Sequence, residues 1–421
     1  MTVVLFEDEQ VSQLDPITLG RPAFAITCGG YRLVDLVAEL ANDVRVSVRP
    51  HLGALTQADF GQLRLLDEVP AGLILGVNSR LVPSTDALAH LRRLLKAARP
   101  GQVCSGGAQA AFVIPRSEAI ATNMQEMAAQ QEVAAGDVAA LCSHATSLET
   151  ITADLPLFQY PHDVVRYHPL IFRANLEHRI KGGDYQDIGD GVFAAPGATL
   201  GPYCVTDTRH GPIVLDEGAA VGPYCYLSGP LHVGRSARVL EHAALKDGVS
   251  LGHTTKVGGE VEASIIEPYT NKQHHGFLGH SYLGSWVNLG AGTCNSDLKN
   301  TYGQVNMEYR GTKVPTDMQF VGTIVGDYAK TAINTGIFTG KTIGVCSMVY
   351  GFVTTNVPSF VNYARLFGQV TEAPVEVAVA AQGRMFARRN VVQRPCDVEL
   401  LHAMFELTRS ERQIAGEPLA L

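Results

Sequence analysis

The chain has 421 residues, of which 46% are hydrophobic and 18% charged, with a formal net charge of −8. That length exceeds one ordinary core and predicts two domains, while the acidic balance argues against nucleic acid as a partner, since its binders carry a basic face. No apolar run reaches the roughly 18 residues of a membrane span, the start MTVVLFEDEQ lacks the basic region of a secretory leader, and eight cysteines without a CxxC pair read as reduced thiols of a cytoplasmic protein rather than as a zinc site.

In chain order, TVVLF (2–6), AGLILGV (71–77) and AAFVIP (110–115) read as buried strands. YRLVDLVAELAND (31–43) and TDALAHLRRLLKAA (85–98) read as amphipathic helices, the second opened by a Ser or Thr cap. Strands alternating with helices predict an α/β layer fold over 1–162. DVVRYHPLIFRANLEHRIKGG (163–183) reads as a helical connector, assigned to 163–187.

From Leu215 onward an aliphatic residue recurs every sixth position: Leu215, Val221, Leu227, Val233, Val239, Leu245, Leu251 and Val257. The phase returns at Leu283 and Leu289, and again at Val325, Thr331, Ile337, Ile343 and Val349. Neither a helix nor an alternating strand has this period. It fits a hexapeptide β-helix, in which six residues make one short strand and one turn, the aliphatic residue points inward, and three faces close a triangular prism. The prism is expected over 188–360, with EPYTNKQHHG (267–276) and 295–317 as insertions that leave it as loops. A tail over 361–421 holds one amphipathic helix, CDVELLHAMFELTRSERQ (396–413).

Three stretches carry a resemblance: LFEDEQ with LDPITLGRPAFAITCGGYRL near the start, GPIVLDEGA in the middle, and GFLGHSYLGSWVNLGAGTCNSDLKNTYG (276–303). They resemble the bifunctional N-acetylglucosamine-1-phosphate uridylyltransferase / glucosamine-1-phosphate N-acetyltransferase family, in its alternative bacterial branch of sugar nucleotidyltransferases. The family motif G-H-x-x-Y-L-G…N-I-G-A-G…C-N-Y-D is matched by Gly279, His280, Tyr282, Leu283, Gly284, Asn288, Gly290, Ala291, Gly292, Cys294 and Asn295, with His280 and Tyr282 one residue closer than in the family. The resemblance implies a nucleotidyltransferase-like α/β domain followed by a left-handed parallel β-helix, and a homotrimer with acetyl-CoA held between adjacent prisms.

An amino sugar carries an ammonium at pH 7 and attacks a thioester only after losing a proton, so a neutral His is a fitting base. The resemblance places that base at His280, with His274 and His275 as rivals. Lys272, Tyr282, Asn288, Asn295 and Lys299 are the expected sugar-phosphate contacts, and backbone N–H groups of LGAG (289–292) could receive the oxyanion. A metal-dependent alternative would use His253, His275 and His280.

At the start, the family's Gly-rich loop with its phosphate-binding lysine is absent, since the first lysine is Lys96. Arg21 could take over as cation, Gly29 and Gly30 could open a helix N-terminus toward phosphate, and Asn78 and Arg80 stand where relatives place a metal-binding Asp. Glu7, Asp8 and Glu9 could supply the missing charge for Mg²⁺, or form a solvated turn. The expected activity is acetyl transfer from acetyl-CoA to an amino-sugar phosphate, coupled to uridylyl transfer from UTP to give a UDP-sugar. The alternative is an assembly or nucleotide-sugar-binding protein with a degenerate first domain and a non-catalytic solenoid.

Overall fold

The computed structural model describes residues 1–70, 72–115 and 138–415. The chain divides into two compact units, one of Met1–Leu14, Arg21–Ile26 and Tyr31–Gln159, the other of Asp15–Gly20, Thr27–Gly30 and Tyr160–Leu421. Residues 116–137 of the expected α/β domain lie outside the described residues.

The first unit is built on strands β1 (Thr2–Phe6), β2 (Val44–Ser47), β3 (Arg64–Leu65), β4 (Ile74–Asn78), β5 (Gly101–Ser105) and β6 (Ala108–Ile114), in the spatial order β3-β2-β1-β4-β6-β5. β1 runs parallel to β2 and β4, and β6 runs antiparallel to β4 and β5. All five residues of β1 are buried, because a central strand covered on both faces needs an unbroken apolar run. Helices α1 (Leu33–Val37), α2 (Gly53–Asp59), α3 (Thr85–Ala97) and α4 (Val138–Thr146) accompany the sheet. Ser84 caps α3, its Oγ accepting the Ala87 N–H at 3.0 Å, and Leu88, Leu91 and Leu94 bury one face. The helix expected over 31–43 is shorter than its pattern, starting where Asp35 accepts the Arg32 N–H at 3.0 Å and ending at Val37.

After its two short early segments, the second unit resumes with α5 (His162–Gly182) and continues into the prism, a left-handed parallel β-helix. On its first face the inward residues register as Leu215, Val233, Leu251, Ile266, Leu283, Val325 and Ile343. The period of six is thus a coil of eighteen residues, and every phased residue is buried. Each buried aliphatic side chain contributes on the order of 1.5–3 kcal/mol, and the column forms the apolar core of the prism.

The two expected insertions fare differently. Residues 267–276 do not leave the prism: Asn271–Lys272 pairs in register with Lys256–Val257 on the second face. The phase slips there because the coils are shorter, Leu251 registering with Ile266 and Ile266 with Leu283. The second insertion is a true excursion. The chain departs after Cys294–Asn295, forms an antiparallel hairpin of Asn306–Tyr309 with Thr312–Pro315, and returns at Thr323–Val325. The hairpin is anchored to the start of α5, where Tyr309 and the His162 ring Nδ1 lie 2.9 Å apart and the rings of Tyr160, His162 and Tyr309 stack.

The prism ends in an antiparallel pair, Val361–Ala364 with Gln369–Glu372, which covers its open strand edge. Among the described residues three helices follow rather than the one expected: α6 (Val375–Ala387), α7 (Pro395–Leu407) and α8 (Arg409–Ala415). The single pattern over 396–413 breaks at Thr408, whose hydroxyl donates to the Met404 carbonyl at 2.7 Å.

Candidate active site

Each coil turns three corners, and His280 occupies the corner between the third face (Phe277–Gly279) and the next strand of the first face (Tyr282–Leu283). Its φ of 45° lies in the left-handed region, as do those of Asp247 and Ala263 at the equivalent corners of the two preceding coils, so the turn is a regular feature of the prism. The corner is held because the His280 N–H donates to Glu262 at 3.0 Å and its carbonyl accepts the Gly322 N–H at 2.8 Å. The half-buried imidazole places Nδ1 2.8 Å from the Asp297 carboxylate. A carboxylate only accepts, so the pair puts the proton on Nδ1 and leaves Nε2 as the basic nitrogen. Phe320, on the returning arm of the excursion, lies against the ring with centroids 5.2 Å apart.

Asn295 builds this corner from within. It is buried, and its amide accepts the Gly279 N–H at 2.9 Å and donates to the Gly279 carbonyl at 3.1 Å. It therefore fixes the backbone before His280 and does not present its amide to a sugar. Gly279 is required by the Asp297 carboxylate, since a Cβ there would stand 2.3 Å from Oδ2. Gly279→Ala is expected to displace the carboxylate from the imidazole. Misplacement by about 1 Å costs on the order of 10²-fold, so kcat for any reaction that uses His280 as a base should fall about that much while thermal unfolding of the chain changes little.

The other expected contacts lie elsewhere. Lys272 sits at an inward position of the second face, 2% exposed, with its ammonium donating to the Gly258 and His274 carbonyls at 2.9 and 2.7 Å. Burial pushes its pKa down to about 8. It fills the prism and is not offered to phosphate. Tyr282 is fully buried and donates to Glu267 at 2.8 Å, the same carboxylate that accepts the N–H and hydroxyl of Thr27. Asn288 is exposed on the second face beside Asn271, away from the His280 corner. Lys299 remains on the excursion and donates to the Gln304 carbonyl at 3.0 Å. In the LGAG turn the Gly290 and Gly292 N–H groups are spent on Thr331 and on the His275 carbonyl, because stacked coils pair their amides. They are not available to an oxyanion.

The three histidines of the metal-dependent alternative occupy three different corners. His253 lies between the first and second faces, His275 between the second and third, and His280 between the third and first. Among the described residues no group of three His, Cys, Asp or Glu could hold a metal ion. Asp297 and Phe320 were not among the expected residues. The final Asp of the family motif falls on Asp297, which was legible, whereas Phe320 arrives only through the excursion.

In the first unit, two of the expected nucleotide-binding residues, Asn78 and Arg80, lie at the C-terminal end of β4, where they meet Asp8 just beyond β1. The Arg80 guanidinium is fully buried and grips Asp8 through Nε and Nη2 at 2.8 and 2.6 Å, while Asn78 donates to the same carboxylate at 2.8 Å. Arg80 also donates to the Phe158 carbonyl at 2.6 Å. Glu7 accepts the N–H of Ala23 and of Arg49, both at 2.9 Å, and pairs with the Arg49 side chain, which reaches the Arg21 carbonyl at 3.2 Å. Glu7 and Asp8 are therefore ion-paired and not a solvated turn. Asp8 is taken up by Arg80 and Asn78, so these residues do not fit a Mg²⁺ ion held by the protein. Arg80→Ala would leave Asp8 without its counter-charge. Breaking such a pair costs about 3–5 kcal/mol, expected as an early unfolding transition in urea.

Gly29 and Gly30 do not open a helix toward phosphate. They belong to the second unit, where the Gly29 N–H donates to His168 Nδ1 at 2.9 Å, Asn175 donates to the Gly29 carbonyl at 3.0 Å and Arg179 to the Gly30 carbonyl at 2.7 Å. A Cβ on Gly29 would lie 2.5 Å from Ile171, and α1 starts only at Leu33.

Residues 3–182 match the sugar nucleotidyl transferase family. The curated relatives are similar over shorter stretches. The chain is 26% identical over 148 residues to a bifunctional sugar-1-phosphate nucleotidylyltransferase/acetyltransferase of Sulfurisphaera tokodaii, covering 35% of this chain and 37% of that one. It is 29% identical over 144 residues to the bifunctional protein GlmU of Methanococcus vannielii, 34% of each chain, and 36% identical over 110 residues to GlmU of Alkalilimnicola ehrlichii, 25% of this chain and 23% of that one. The chain thus spans about a third or less of the length of the curated relatives it matches. A UDP-N-acetylglucosamine acyltransferase of Francisella novicida aligns with a TM-score of 0.32 at 14% identity, over 56% of this chain and 79% of that one.

Proposed function

We propose that the chain transfers an acetyl group from acetyl-CoA to an amino-sugar phosphate of the glucosamine-1-phosphate type, and in its first unit a uridylyl group from UTP to give a UDP-N-acetyl sugar. The His280–Asp297 pair at a corner of a hexapeptide prism carries the first half of this reading. The family match over residues 3–182 and the two-activity relatives support the second half.

In the acetyl transfer, His280 Nε2 takes a proton from the acceptor ammonium and passes it to solvent. The freed amine attacks the thioester carbonyl, the C–N bond forms and the C–S bond breaks. A second proton moves from the nitrogen through His280 to the departing thiolate. Asp297 keeps the ring in the tautomer that does this and stabilises the imidazolium while it lasts. A non-catalytic solenoid is not favoured, since packing alone does not ask for a half-buried His–Asp pair at a prism corner.

The same proposal includes a homotrimer and a cytoplasmic setting. Eight free cysteines support a reducing compartment, and among the described residues no helix is long and apolar enough to cross a membrane. The test is purified protein with a panel of amino- and neutral-sugar 1-phosphates, given acetyl-CoA and UTP separately. Thiol release is expected with amino sugars alone, and pyrophosphate release with UTP. No thiol release with any acceptor overturns the acetyl half, and no pyrophosphate release the nucleotidyl half.

A further inference from the structure

On the second prism face the residues opposite the inward Val239 and Val257 point outward, and two successive coils place Arg238 in register with Lys256 and Lys256 with Asn271. Adjacent strands lie about 4.8 Å apart, so two cations are stacked on one face. The end of α6 adds Arg388 and Arg389, and Arg389 reaches onto the face, donating to Asn271 at 2.5 Å. Four cations from three elements thus converge beside two side-chain amides, Asn271 and Asn288.

Some cations of this unit meet carboxylates, Lys246 pairing with Glu260 at 2.6 Å, Arg394 with Asp397 at 2.9 Å and Arg412 with Glu372 at 2.7 Å, while others, such as Lys299 and Arg365, are held by a carbonyl or a hydroxyl. Among the described residues none of Arg238, Lys256, Arg388 or Arg389 has a carboxylate within 4.0 Å. Their mutual effect is felt. Burial, then Arg389, Arg238 and Arg388, push Lys256 below its ordinary pKa, and burial, Arg388 and Arg238 do the same to Arg389. The C-terminal dipole of α6 accounts for Arg388 and Arg389. It does not account for the two cations that the prism brings beside them in a chain of net charge −8.

We propose that this cluster of Arg238, Lys256, Arg388 and Arg389 is a binding site for a diphosphate-type oxyanion, separate from the His280 corner. Guanidinium groups match phosphate oxygens in bidentate fashion, and an ammonium adds a point charge. Four positive charges suit a diphosphate or longer chain better than a single carboxylate. The anion is either free inorganic pyrophosphate or the phosphate portion of a nucleotide-bearing molecule. In its free-pyrophosphate form the proposal stands apart from the acetyl-transfer reading, and in its coenzyme A form it rests on that reading.

The test is calorimetric titration of inorganic pyrophosphate into the full chain, its Lys256→Ala/Arg388→Ala double variant and His280→Ala. Binding to the unaltered chain and to His280→Ala should be equal, should weaken as salt rises, and should drop at least ~10-fold in the double variant. Arg238→Gln, on the exposed side of the prism, gives the same readout should the double variant fail to fold. Competition by saturating coenzyme A or UTP assigns the phosphates to that nucleotide, and absence of competition assigns the site to free pyrophosphate. No binding at millimolar pyrophosphate, or binding that Lys256→Ala/Arg388→Ala and Arg238→Gln leave unchanged, overturns the proposal.

Discussion

Replacing His280 by Ala should lower kcat for acetyl transfer by about 10²–10⁴-fold, the usual value of a positioned general base. Binding of acetyl-CoA should change little, because the base serves the acceptor. Asp297→Asn tests the same pair without removing the ring. The amide can donate where the carboxylate accepts, which favours the wrong tautomer, and kcat should fall by about 10²-fold with the fold intact. His274 and His275 are exposed at another corner, so their Ala variants should keep nearly full rate. Steady-state rates of the four variants decide the matter. Full activity in His280→Ala together with loss in His275→Ala would move the base to the neighbouring corner, and full activity in all four would remove the acetyl-transfer reading.

Acid should destabilise the chain through buried neutral histidines well before carboxylates are titrated in bulk. His168 is enclosed, with Nδ1 accepting the Gly29 N–H at 2.9 Å and Nε2 3.0 Å from the Gly248 carbonyl. Burial lowers its pKa from 6.5 to about 4. Burial likewise lowers His162, at the anchor of the excursion, to about 4. The sign follows directly: a group whose folded pKa is depressed contributes its full stability above the unfolded value and loses it as pH falls toward the folded one. Stability should therefore be flat above pH ~7 and decline from about 6.5 to 4, by roughly 3 kcal/mol for each histidine at the end of that window. Urea midpoints measured across this range check it. His168→Gln, which can accept from Gly29 and donate to Gly248 without titrating, should reduce the slope by about one proton. An unchanged slope would show that His168 is not the group responsible.

The local patterns of this chain were enough for its architecture. A sixth-residue aliphatic repeat has one physical meaning, because only a coil of three short strands brings such residues to a common axis. All of its phased positions are buried. The TVVLF and LILGV runs likewise became central strands, since a strand covered on both faces can be nothing but apolar. His280 and Gly279 were legible from their motif, and Asp297 was within reach of it.

Which way each polar side chain faces was decided only in the tertiary structure. A period of six assigns inside and outside as long as every coil has the same length. Where Leu251 registers with Ile266 and Ile266 with Leu283, the shortened coils turn Lys272 inward and make it part of the core. Asn295 is spent on the Gly279 backbone and Tyr282 on Glu267, because a buried polar group must be satisfied by whatever stacks on it. The same holds in the first unit, where Asp8 meets Arg80, just past the end of β4 and 72 residues later. Local sequence gives each residue's chemistry and the period it follows. Coil length and long-range pairing then decide which of those groups remain available to a substrate.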